Sequence, residues 1–148
     1  MSNHRVVVTG LGIISPVGND VPAFWRSITG GVCGIDFITR FDTADFKVKI
    51  AAEVKGFDPL DYVERAEARR SDLFTRSALA AAQEAVASSG MAGKVQPERF
   101  GVYSGSGVGG METFVQECDR LRESGPRRVS PLFIPMMISN MAAGTVAI

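Results

Sequence analysis

The sequence predicts an α/β fold. Two strand-like runs, each leaving through a glycine turn toward a helix, carry that prediction. The first is Arg5 to Val8, followed by Thr9-Gly10-Leu11-Gly12. The second is Phe100 to Tyr103, followed by Gly105-Ser106-Gly107-Val108-Gly109-Gly110. A third observation is the alanine-rich stretch from Leu73 to Ser89, where Phe74, Ala78, Ala81 and Ala85 share a face whose small side chains let another backbone approach.

The elements follow in order. Arg5 to Val8 is a β-branched run that reads as a buried strand. Asn19 or Asp20 then caps a helix with Pro22 in its first turn and a body from Ala23 to Ile28, and Gly30-Gly31 stops it. Between Gly31 and Pro59 the pattern is irregular, with Gly34 to Arg40 and Val48 to Val54 as short edge strands or extended loop. Asp61 to Arg70 is a charged helical turn or two. Ser71 or Asp72 caps the alanine-rich helix, which ends at Gly90, and Lys94 to Glu98 is a polar loop. After the central glycine turn, Met111, Phe114, Val115, Cys118 and Leu121 recur at helical spacing, and Gly125-Pro126 closes that helix. Leu132 to Ile148 is almost wholly apolar and reads as a helix buried on every side. Because that pattern stops at Ile148 without a glycine, a basic last turn or a polar tail, a fragment of a larger protein is expected.

Composition narrows the function classes. The 148 residues are 45% hydrophobic and 22% charged, enough for one domain with a core. Sixteen basic and sixteen acidic side chains cancel, so no global field draws the chain to nucleic acid or an anionic membrane. The opening MSNHRVVV lacks the apolar run of a secretory signal, and the later apolar run is interrupted by Ser139 and Asn140. The expectation is a cytoplasmic protein with no membrane span. Cys33 and Cys118 are too few for a disulfide framework, and no Cys/His spacing suggests a metal.

The central turn formally satisfies GxGxxG between a strand and a helix, so tight packing and ligand binding both stand for it. The acidic residue a dinucleotide site needs about 20 positions on is missing, because that distance falls among Arg127, Arg128 and Ser130. The earlier Gly10-Leu11-Gly12 motif has Ser15 at its third position. Nucleophilic pairs fare no better, since the single histidine, His4, reads as an exposed terminal residue. Cys118 lies on the apolar stripe of its helix, and Cys33 has no neighbouring base. Basic residues cluster at Arg65, Arg69 and Arg70 and at Arg127 and Arg128. Among them, helix-spaced pairs such as Asp61 with Arg65 make surface salt bridges the favoured reading from spacing alone.

Four segments together resemble one family. VVVTGLGIISPVGN at Val6 to Asn19, FDTADF at Phe41 to Phe46, the GSGVGG turn, and GPRRVSPLFIPMMISNMAAG at Gly125 to Gly144 are similar to the N-terminal part of the β-ketoacyl-[acyl-carrier-protein] synthases. The likeness is strongest to the type II enzymes of bacterial fatty acid synthesis. Polyketide ketosynthases and non-catalytic chain-length factors are the alternatives, and a Rossmann-type nucleotide binder is a more distant one.

The resemblance implies a thiolase-like layered αβαβα fold, of which residues 1–148 supply part of the N-terminal half, usually in a homodimer. It implies decarboxylative condensation of acyl and malonyl thioesters of acyl carrier protein, with no cofactor. The family's nucleophilic cysteine and two histidines would lie beyond Ile148, so neither Cys33 nor Cys118 takes that role, and the chain alone is expected to be inactive. By the same resemblance Val108 and Phe133 stand at acyl-pocket positions, the second reaching a partner subunit's tunnel. Arg65, Arg69, Arg70, Arg127 and Arg128 fall where relatives present basic residues to the acidic carrier protein. Ala66 replaces a basic residue frequent in those relatives, which weakens the first patch.

Overall fold

A computed structural model describes residues 5–148, and His4 lies outside the described residues. The chain divides into two compact units. Residues 5–57 with Ala81–Ala92 form one, and Asp58–Ala80 with Gly93–Ile148 form the other.

In the first unit, α1 spans Val21–Thr29. The Asp20 side chain accepts the Ala23 N–H at 2.6 Å and caps it, and Gly30 closes it with Gly31 at φ 71°. The capping predicted for this helix is therefore found at Asp20. Ahead of it, Ser15-Pro16-Val17-Gly18 makes a tight turn in which Ser15 and Gly18 exchange backbone hydrogen bonds of 2.9 and 3.3 Å. The short strands fall inside the two stretches that suggested them: β1, Asp36–Phe37, pairs antiparallel with β2, Ile50–Ala51. Lys55 bonds Asp36 and Thr39 bonds Glu53 beside this hairpin, and those bonds lower both carboxyl pKa values.

Arg5 to Val8 is not a buried strand. It is assigned to no strand, and Val6 is 90% exposed. A strand of a parallel sheet needs neighbours to accept its backbone groups, and none pairs with it among the described residues.

In the second unit a 3-10 turn, Pro59–Asp61, leads to α2, Arg65–Ala68, so the charged stretch is two short pieces. The alanine-rich helix α3 spans Leu73–Ser89; its first two turns belong to this unit and its last residues to the other. Helix α4 spans Met111–Ser124 and ends at Gly125, φ 79°.

Three expectations are corrected in this unit. Phe100 to Tyr103 forms no strand, and Tyr103 is fully exposed. On α4 the buried residues are Thr113 and Glu117, whereas Met111, Phe114, Val115 and Leu121 are all at least 40% exposed. Thr113 and Glu117 turn inward, one helical turn apart, because each finds a hydrogen-bond partner there. The apolar C-terminal stretch is two short helices, α5 (Phe133–Met137) and α6 (Met141–Ala147). Ile138 is extended between them, which leaves no helix buried all round. Val63, Ala80 and Ala142 are the buried hydrophobic residues among those described.

Candidate functional site

The central glycine turn is built against its own unit. Ser106 Oγ accepts the Gly109 N–H at 3.0 Å, and the Gly110 N–H reaches the Met137 carbonyl at 2.8 Å. Gly109, at φ 86°, is the turn's left-handed residue, and a Cβ there would overlap that same carbonyl oxygen and press on Ser139. A Cβ on Gly110 would overlap the Met136 carbonyl and fall 2.8 Å from Asp72 Oδ2. Gly105 and Gly107 differ: neither has a positive φ, and nothing lies within 4 Å of where a Cβ would project. Of the four glycines in this turn, two make a close approach, and its counterpart is the backbone that follows Phe133.

Helix α4 starts at Gly110, which has no side chain to cap it. Asp72, just before α3, supplies the cap from 41 residues away. Its Oδ2 accepts Thr113 N–H at 3.3 Å and Thr113 Oγ1–H at 2.5 Å, and Oδ1 accepts Phe74 N–H at 3.4 Å. The carboxylate is 6% exposed and lies at the positive end of the helix dipole. A dinucleotide pyrophosphate would need that same helix terminus. An anion there would meet a buried carboxylate, so the nucleotide reading loses its donor group.

Val108, within this turn, is 65% exposed. Phe133, at the start of α5, is half-buried with its ring 6.1 Å from that of Phe114. The turn bearing Val108 thus rests on the segment that α5 leads into.

The basic residues lie on two separate elements. Arg65 begins α2, Arg69 caps its end and Arg70 follows; Arg127 and Arg128 form the 3-10 turn Pro126–Arg128 that succeeds α4. The Ser130 N–H, bonded to Glu117 Oε2 at 2.7 Å, anchors that second turn to α4. All five are exposed. The ion pairs among the described residues are Lys55–Asp36, Arg120–Glu117 and Arg122–Asp119. The expected salt bridges within the Asp61 to Arg70 stretch, Asp61 with Arg65 included, are therefore absent, and the five arginines keep their charge available.

The sequence reading missed two carboxylates. Asp72 was read only as a cap for its own helix. Glu84, the single charged residue between Arg76 and Lys94, accepts Ile13 N–H at 3.0 Å and Val21 N–H at 2.8 Å, so it ties the first glycine turn to the start of α1. Its isolation in an alanine-rich helix was the available signal. Cys33 is exposed and Cys118 half-buried, and both are free thiols. No group of three or more metal-ligating side chains occurs among the described residues, nor any helix long and apolar enough to cross a membrane.

Comparison with known proteins agrees with this architecture. Residues 3–148 match the family model described as "Beta-ketoacyl synthase, N-terminal domain". The chain is 49% identical over 147 residues to a 3-oxoacyl-[acyl-carrier-protein] synthase 2 of Staphylococcus aureus, covering 99% of this chain and 36% of the relative. It is 44% identical to the protein of the same name in Coxiella burnetii, covering 100% of this chain and 36% of that one. Thus the chain spans little more than a third of the length of these relatives. Among solved structures it is similar to a type II polyketide ketosynthase in complex with its acyl-carrier protein, with TM-score 0.78 and 25% identity over 95% of this chain and 37% of the other. A β-ketoacyl synthase from Burkholderia phymatum follows at TM-score 0.76 and 26% identity, over 97% and 36%. The mixed helices and small sheet are part of the thiolase-like α/β fold of these ketosynthases, and the chain, through its match to the N-terminal domain model, belongs to the β-ketoacyl synthase family.

Proposed function

We propose that this chain is the N-terminal portion of a type II 3-oxoacyl-[acyl-carrier-protein] synthase acting in fatty acid elongation. The observation that carries the reading is the identity of 49%, spread across 99% of the chain, to a relative of that name. In the whole enzyme a cysteine thiolate displaces the carrier's thiol from an acyl thioester. Malonyl carrier protein then loses carbon dioxide, and the resulting carbanion attacks the enzyme-bound acyl group. The products are 3-oxoacyl carrier protein and the free thiolate. The reaction as written calls for no cofactor.

On this reading the chain supplies substrate-side architecture and no catalytic residue. The nucleophile and its two histidines are then supplied by sequence outside residues 1–148. Val108 and Phe133 are apolar, as an acyl pocket requires. The unpaired Arg65, Arg69, Arg70, Arg127 and Arg128 suit an acidic acyl carrier protein. The exposed apolar side of α4 fits a domain whose remaining half, and whose homodimer partner, cover further surface. The whole enzyme would work in the cytoplasm.

A second reading, a polyketide ketosynthase or chain-length factor, draws on the TM-score of 0.78 to a polyketide ketosynthase. The 25% identity of that pair, against 49% for the 3-oxoacyl-[acyl-carrier-protein] synthase 2, favours the first. To test it, residues 1–148 replace the matching part of the Staphylococcus aureus relative, and condensation of saturated acyl with malonyl carrier protein is measured. Turnover by the chimera and none by residues 1–148 alone is the expected result. Turnover by the chain alone, or none by a chimera that folds, overturns the reading.

A further inference from the structure

Asp72 and Thr113, both buried, meet across 41 residues of sequence where α3 and α4 begin. A carboxylate taken out of water without a cation beside it is costly unless hydrogen bonds replace its solvation. Asp72 joins none of the ion pairs among the described residues, and it accepts bonds from Thr113 Oγ1–H, Thr113 N–H and Phe74 N–H instead. Capping alone does not call for such a device. A Ser, Thr, Asp or Asn directly before α4 would cap it locally, whereas the chain has Gly110 there and brings its cap from the start of another helix.

The long-range cap fixes more than a helix end. A Cβ on Gly110 would stand 2.8 Å from Asp72 Oδ2 and 2.4 Å from the Met136 carbonyl oxygen, so the turn closes on the carboxylate and on the α5 backbone at once. The Gly110 N–H is already spent on the Met137 carbonyl. Val108 lies two residues before Gly110. On the other side of the cap, Phe114 follows Thr113, and its ring is 6.1 Å from that of Phe133. Asp72 is thus bonded to the residue that lies between the turn carrying Val108 and the ring that meets Phe133.

We propose that Asp72, acting through Thr113, is a positioning residue for the acyl pocket: it sets the spacing of Val108 and Phe133, and with it the handling of long acyl chains. The inference rests on the acyl-pocket reading above and adds to it a residue that no acyl group has to touch. A long chain reaches the wall that the two apolar side chains make, and a short chain ends before it. Loosening the turn therefore costs the long chain alone.

The test uses the whole enzyme in which the remainder of the Staphylococcus aureus relative completes residues 1–148, with palmitoyl or butanoyl carrier protein as acyl donor and malonyl carrier protein as extender. Asp72→Asn keeps the shape and loses one acceptor oxygen. It should lower kcat/KM for the palmitoyl donor about tenfold, while the butanoyl donor and the KM for malonyl carrier protein stay within about twofold. Thr113→Val, which lacks only the hydroxyl, should lower palmitoyl transfer about threefold, and Thr113→Ser should restore it. A merely structural aspartate would lower both donors alike, through the fraction of folded enzyme. Parallel loss, or no loss, in a folded Asp72→Asn enzyme overturns the inference and leaves the synthase reading standing. Should Asp72→Asn fail to fold, the palmitoyl-to-butanoyl ratio of Thr113→Val against Thr113→Ser decides in the same way. A folded wild-type chimera without turnover overturns the synthase reading and the inference together.

Discussion

The two glycine turns look alike in sequence and are held by different means. At the first, Gly10 and Gly12 lie directly on α3, where a Cβ would overlap the Ala85 and Ala81 carbonyl oxygens, and half-buried Glu84 accepts the amides of Ile13 and Val21. At the second, Gly109 adopts a positive φ, Gly109 and Gly110 press on the Met136 to Ser139 backbone, and Asp72 takes three donors while 94% buried. Both devices place a carboxylate at a helix N-terminus, α1 in one case and α4 in the other. The first depends on a helix surface kept small. The second is fixed from three directions: backbone conformation, backbone contact and a buried hydrogen-bonded charge. A turn fixed in that way keeps Val108, which it bears, at a set place.

The sharpest way to break the comparison is at the left-handed glycine. Gly109→Ala forces a Cβ into a positive φ and into the Met137 carbonyl, and should cost about 3 kcal/mol or more in denaturant unfolding. Gly12→Ala meets a carbonyl too, but without the conformational penalty, so about 1 to 3 kcal/mol is expected. The prospective Cβ at Gly12 lies nearer a carbonyl oxygen than that at Gly109, 1.8 Å against 2.2 Å, so a larger loss at Gly12 would mean that steric overlap outweighs the positive φ.

Next come the carboxylates. Asp72→Ala strands the buried Thr113 hydroxyl and the Thr113 N–H and should cost about 2 to 3 kcal/mol. Glu84→Ala frees two amides at a site closer to water and should cost about 1 kcal/mol. Denaturant midpoints for the two variants, compared at constant slope, measure the difference. A larger loss at Glu84 would reverse the ranking of the turns.

How much of this the sequence displayed follows from the range of each interaction. The ends of α1, α3 and α4 were legible at Asp20, Gly30, Gly90 and Gly125 because capping is decided within a few residues. The strands expected at Arg5 to Val8 and Phe100 to Tyr103 do not form, because pairing depends on neighbours far along the chain or outside it. Periodicity gave α4 its helix but the wrong inner face, since Thr113 and Glu117 turn inward to meet Asp72 and Ser130, at separations of 41 and 13 residues. Family motifs marked Val108, Phe133 and the five arginines.

The smallest effect sharpens the comparison most, because it separates the glycines that hold the second turn from those that merely accompany them. Gly107 belongs to the same GSGVGG segment as Gly109, yet its φ is not positive and no atom lies within 4 Å of a prospective Cβ. Gly107→Ala should therefore leave the folded state intact and restrict the unfolded chain, giving a change within about 0.5 kcal/mol or a slight stabilisation. Measured beside Gly109→Ala under one set of conditions, it tests whether the turn is held by its last two glycines alone. A loss at Gly107 as large as at Gly109 would mean that the whole segment is packed against something, and that the open space beside Gly105 and Gly107 is filled in the protein as it works.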